Sequence, residues 1–111
     1  HVQPKMMLPN YGVFDEKRVF VPGEGEVVEY KGLKLGILIC EDMWSADAPM
    51  RLKAQGAELL LVVNASPFEA GKLGHRRTVA TVVATETELP LAYVNCVGGQ
   101  DDIVFDGGSF M

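Results

Sequence analysis

Cys40 ends the apolar run Leu33, Leu35, Ile37, Leu38 and Ile39 within "LKLGILICEDMW", residues 33 to 44, and is followed at once by Glu41 and Asp42. A thiol attacks carbon only as the thiolate, and neighbouring carboxylates make that ionisation harder. A strand that merely filled a core would have no use for such an ending. Any activation must come from a cation or base elsewhere in the chain. His75 would make a cysteine–histidine pair, but it lies in "KLGHRR", a solvated helix start, and the other histidine is His1. Lys5 is the second candidate. It stands before "MMLPNYGVFDEKR", part of a stretch rich in Pro, Gly and aromatic residues that reads as a long ordered loop, and such loops usually serve function.

The elements that would position these groups follow from periodicity. "EVVEY" (26 to 30) and "LKLGILI" (33 to 39) flank Lys31 and Gly32, which predicts a hairpin with glycine in the turn. The second strand becomes apolar at every position, as a strand does on entering a sheet covered on both faces. A short helix is predicted from Ser45–Pro49 to Gly56, then a buried strand over 58 to 63. "SPFE", residues 66 to 69, has a capping-box pattern ahead of a second helix, with Val79, Val82 and Val83 on its apolar face and Leu89 and Pro90 closing it. "LAYVNCV" (91 to 97) reads as a third buried strand, and "IVFDGGSFM" as a last hairpin turning at 106 to 108. The alternation predicts an α/β fold with parallel pairing, whose ligand site lies beyond the carboxyl ends of the strands. Cys40, Asn64 to Ser66, and Asn95 with Cys96 would then share one edge.

Composition narrows the classes. The 111 residues are 48% hydrophobic and carry fifteen acids against ten bases, for a net charge of −5 and a pI near 4.9. No broad basic face is available for a phosphate backbone, which argues against nucleic acid. The apolar runs are far short of the ~20 residues of a membrane helix, and "HVQPKMML" has no signal-peptide pattern, so the cytoplasm is the expected compartment. Two cysteines make no disulfide framework, and Cys96 reads as a small buried hydrophobe. "PGEGE" lacks the spacing of a phosphate loop, and no metal is required by thiol chemistry.

Four blocks, "KMMLPNYGVFDEKRVF", "GILICEDMW", "NASPFEAGK" and "NCVGGQDDIVFDGGSF", together resemble the glutamine-hydrolysing domain of glutamine-dependent NAD synthetases, within the nitrilase (carbon–nitrogen hydrolase) superfamily. The resemblance covers nearly the whole chain. It implies a nitrilase-type α-β-β-α sandwich, incomplete in this chain, and a Glu-Lys-Cys triad. In that triad Cys40 matches the nucleophile that forms a thioester with the substrate amide. Lys5 matches the lysine that favours the thiolate and, with the Glu41 backbone N–H, holds the oxyanion. The Glu41 side chain matches a substrate α-amino contact. Tyr11, Ser66 and Arg76 match positions lining the glutamine pocket, with a loop anchor, a helix cap and a solvated helix charge as their structural alternatives.

The resemblance further implies glutamine as substrate and no cofactor in this domain, with ATP and magnesium used by a synthetase domain that is absent here. A homo-oligomer is expected. The triad glutamate has no counterpart, since no acid precedes Lys5, and "QPK" replaces a more usual tyrosine and arginine. Residues 1 to 111 are therefore read as the carboxyl-terminal part of a glutamine amidohydrolase domain, belonging to a longer enzyme and inactive alone. Another superfamily amidase acting on a small amide or carbamoyl compound, or a non-catalytic structural fragment, is the alternative.

Overall fold

In the computed structural model, which describes residues 1–12 and 14–111, strands β1 (Val27–Tyr30) and β2 (Leu33–Ile39) form the expected hairpin. Lys31 and Gly32 both take positive φ, 51° and 80°, which matches the twist of the two strands. Strand β2 pairs parallel with β3 (Leu59–Asn64), and β3 parallel with β4 (Leu91–Asn95), so the sheet runs β1-β2-β3-β4. A 3-10 turn over Cys40–Trp44 leads from β2 into helix α1 (Asp47–Ala54), which stops ahead of Gly56 at φ 93°. Helix α2 (Lys72–Thr87) connects β3 to β4.

Strand alternation sorts the sheet residues onto two faces. Leu38, Leu60, Val62, Leu91 and Tyr93 are buried with Met43, Ala48, Leu52, Ala57, Ala80 and Val83, giving a core between sheet and helices. Leu35, Ile37, Ile39, Leu59, Leu61 and Val63 point the other way with Ala92 and Val94; Val63 is 37% and Val94 46% exposed. Helices cover one face of an apolar sheet, and no other described element covers the second. This is one sheet-and-helix half of the expected sandwich. No helix among the described residues is long and apolar enough to cross a membrane.

Three expectations are corrected. Helix α2 begins at Lys72 behind Gly71 (φ 80°), so "SPFE" caps nothing, because residues 66 to 69 lie in an irregular segment ahead of it. Its buried positions are Arg76, Ala80, Val83 and Thr87, while Val82 is 48% exposed. Strand β4 stops at Asn95; Cys96 is exposed rather than buried, and β5 (Val97–Gln100) pairs with β6 (Ile103–Asp106) in a separate hairpin that turns at Asp101, φ 51°. No hairpin closes at 106 to 108; Gly107 and Gly108 take positive φ, 65° and 69°, and Phe110 pairs with Tyr93 through backbone bonds of 2.8 and 3.0 Å and rings stacked at 4.9 Å.

Candidate active site

The parallel register sets the site. Ile39 is level with Val63, and Asn64 with Asn95, so Cys40 emerges beside the carboxyl ends of β3 and β4. Cys40 has φ 49°, a left-handed conformation costly for a residue with a Cβ, and the sharp turn lifts its side chain off the end of the strand. Asp42, fully buried, accepts from the Ile39 N–H at 2.9 Å and from the Met6 and Met7 N–H groups at 2.9 and 2.6 Å. Burial pushes its carboxyl above the ordinary range, against the pull of these three donors and of Lys5.

Lys5 meets a partner that sequence reasoning missed. Its Nζ donates to both carboxylate oxygens of Glu16, at 2.9 and 2.8 Å, and both side chains are largely shielded from solvent. A recess of about 290 Å³ beside them is lined by Lys5, Leu8, Glu16, Phe20 and Val21. Burial raises the Cys40 thiol; Lys5 opposes this, Glu41 and Glu16 add to it, and Lys72 opposes it again. The cation needed at Cys40 is therefore present, and Lys72, paired with Glu69 at 3.3 Å, is a second one that spacing had not singled out. Tyr11 donates to Glu41 Oε2 at 2.7 Å, and its hydroxyl is pushed up to about 12 by burial and by that carboxylate. His75 lies against Trp44, ring centroids 5.0 Å apart.

Ser66 is held from two sides. Asn95 Oδ1 accepts from the Ser66 N–H at 2.9 Å, and Asn95 Nδ2 donates to the Ser66 and Gly107 carbonyls at 3.3 and 3.0 Å. Arg76 is wholly buried: Nη2 donates to Ser66 O, Ser66 Oγ and Pro67 O, and Nη1 forks onto Asp106 at 2.9 and 3.1 Å. The solvated alternative for Arg76 is thus overturned. With no exposed surface and these donors committed, the side chain braces the loop behind Ser66 and clips it to β6. The helix-cap alternative for Ser66 is overturned with it, because α2 starts further on.

Arg76→Met is expected to lower stability, mainly because the Ser66 and Pro67 carbonyls lose their buried donor, each unsatisfied group costing about 1–3 kcal/mol; the exposed Asp106 carboxylate can be solvated instead. Urea unfolding of the two proteins checks this. Arg76 holds the Asp106 carboxyl below its ordinary range, so its stabilisation is present above the unfolded pKa of about 3.9 and is lost as pH falls through the folded one. The acid limb of the stability curve should shrink in the variant.

A cysteine at the end of a parallel strand, with a lysine whose next two residues are bonded to Asp42 beside that cysteine, is an arrangement that thiol hydrolases could use. The carbon-nitrogen hydrolase profile matches residues 2–111, and the chain belongs to that family. It is 50% identical over 111 residues to glutamine-dependent NAD(+) synthetase of Acinetobacter baylyi, covering 99% of this chain and 20% of that protein. The ADP complex of glutamine-dependent NAD+ synthetase from Acinetobacter baumannii superposes with TM-score 0.87 at 50% identity, over 96% of this chain and 20% of that one. An amidase from Nesterenkonia sp. AN1, a mutant with the acetamide moiety of fluoroacetamide added at its active-site cysteine, superposes with TM-score 0.78 at 34% identity, over 95% and 39% of the chains. The chain spans about a fifth of the length of the curated relatives it matches.

Proposed function

We propose that residues 1 to 111 form the carboxyl-terminal part of the glutaminase domain of a glutamine-dependent NAD synthetase. The joining of the Lys5 segment to the Cys40 turn through Asp42, in a chain 50% identical to such synthetases, supports this reading. Cys40 thiolate attacks the side-chain carboxamide carbon of glutamine, forming a C–S bond while the carbonyl π electrons move to oxygen. The Lys5 ammonium and the Glu41 N–H, in the first turn after β2, hold that oxyanion. Collapse expels the nitrogen, which leaves as ammonia with the proton first taken from the thiol, and water then hydrolyses the thioester to glutamate.

The thiol proton passes to a triad glutamate outside these residues; Glu16 serves to aim Lys5. Glu41 and Tyr11 hold the substrate's α-amino end, and Lys72 is the cation available for its carboxylate. Ser66 lines the pocket, with Arg76 acting through it. In the parent enzyme the ammonia would amidate deamido-NAD in a synthetase portion using ATP and magnesium. No cluster of three or more His, Cys, Asp or Glu side chains that could hold a metal is present among the described residues, and we assign neither ligand to them. The remainder of the amidase domain would cover the second sheet face, and a homo-oligomer is proposed.

Two assays test this. The intact parent enzyme should accumulate a glutamyl adduct on Cys40, seen by acid quench and peptide mass, and should turn over glutamine far faster than butyramide. The reverse preference would favour the second reading, a small-amide hydrolase, which the 34% identity to the Nesterenkonia amidase keeps in view. The 111-residue chain alone is expected to release no ammonia from glutamine, because general-base catalysis worth about 10²–10⁴ is missing and one sheet face is uncovered. Cys40-dependent turnover by the isolated chain would show that Glu16 or another resident carboxylate supplies the base.

A further inference from the structure

Asp42 is the one buried carboxylate of the site that the chemistry above leaves unused. Its side chain has no exposure and no cationic partner in hydrogen-bond contact. Its three bonds go instead to backbone amides chosen by position. Ile39 immediately precedes the nucleophile, and Met6 and Met7 immediately follow the lysine. Oδ2 holds the first, three residues back, and Oδ1 holds the other two, 36 and 35 residues away.

We propose that Asp42 is the positioning residue that sets the distance between Lys5 and Cys40, by locking the backbone on which each is carried. The inference rests on the glutaminase reading for its chemistry and on geometry for the lock itself. The segment before Val27 has only a short 3-10 turn, Glu16–Arg18, as regular structure among its described residues, so no sheet ladder fixes Met6 and Met7. A carboxylate at zero exposure substitutes for that ladder. It also counters the strain at Cys40, whose φ of 49° would relax if the residue before it were released. A carboxylate suits the task because it only accepts and offers two oxygens, whereas an amide side chain would turn an N–H group toward one of the three donors.

The test uses the intact parent enzyme with Asp42→Asn and Asp42→Ser, and reads two quantities that a merely structural role would leave alone. The first is the pH profile of Cys40 alkylation by iodoacetamide, measured well below the unfolding temperature. With Lys5 no longer held, the midpoint should move to higher pH and the rate at pH 7 should fall at least tenfold. The second is glutamine turnover, in which kcat should fall by about 10² or more while KM moves only a few-fold, since a misplaced oxyanion donor is felt mainly in the transition state. A folded variant with wild-type alkylation and kcat overturns the proposal.

If neither variant folds, amide exchange on the unmodified enzyme decides. The Ile39, Met6 and Met7 amides should exchange with one common protection factor as the lock opens, and unrelated factors overturn the inference. Failure of the glutaminase reading is distinct. It would show as glutamine turnover surviving Cys40→Ala, whatever the Asp42 variants do.

Discussion

Cys40→Ala in the intact parent enzyme is expected to abolish glutamine-driven product formation, with free ammonia restoring it. The residue stands at the elbow where β2 leaves the sheet, at φ 49°, and the ionisation of its thiol is governed first by burial, which raises it, and then by Lys5, Glu41, Glu16 and Lys72. Alanine keeps the Cβ and removes the sulfur alone, so the fold should survive while covalent catalysis is lost. Stranded triads retain only what binding and the oxyanion hole provide. The measurement is glutamate release alongside NAD formation. Undiminished glutamine hydrolysis would show that the thiol is a bystander, and rescue by ammonia separates a dead glutaminase from an unfolded protein.

Lys5→Met is the second large loss. One oxyanion donor is worth about 10²–10³ in kcat, and Lys5 also lowers the cost of forming the thiolate, so the combined loss should exceed either alone. The burial that raises the Cys40 thiol acts unopposed by Lys5 in the variant, and the pH at which iodoacetamide reaction sets in should climb accordingly. Glu16 would be left part-buried without its ammonium partner, so some destabilisation accompanies the change. Lys5→Arg distinguishes charge from shape: it retains the cation and the contact with Glu16 but cannot place a single N–H group on the oxyanion in the same way. Near-normal kcat in the methionine variant would reduce Lys5 to a loop charge.

Much of this site was legible in the amino-acid order because its signals are local. Gly32 and Gly56 end elements through φ values that few residues adopt, and the uninterrupted apolar runs of β2 and β3 marked a sheet apolar on both faces, of which helices among the described residues cover one. Cys40 was found because a thiol followed by two acids at a strand end makes no sense as packing. Tyr11 was named from the four-block resemblance, and its contact with Glu41 shows where the loop folds back.

What the order of residues could not determine is which charge meets which. Lys5 to Glu16 spans 11 positions, Asp42 to Met6 36, and Arg76 to Asp106 30, and no periodicity links such pairs. Arg76 matched a pocket position with a solvated helix charge as the alternative, because burying an unpaired guanidinium is prohibitive; only the packed loop and β6 supply the oxygens that permit its burial. Cys96 read as the end of a buried strand because Val97 continued the apolar pattern, yet β4 stops at Asn95, whose side chain is committed to Ser66 and Gly107. Local sequence fixes turns and the period of each element through steric and solvation preferences that act over a few residues. Pairing of buried polar groups is settled by through-space distance, and that exists only once the sheet has brought its carboxyl edge together.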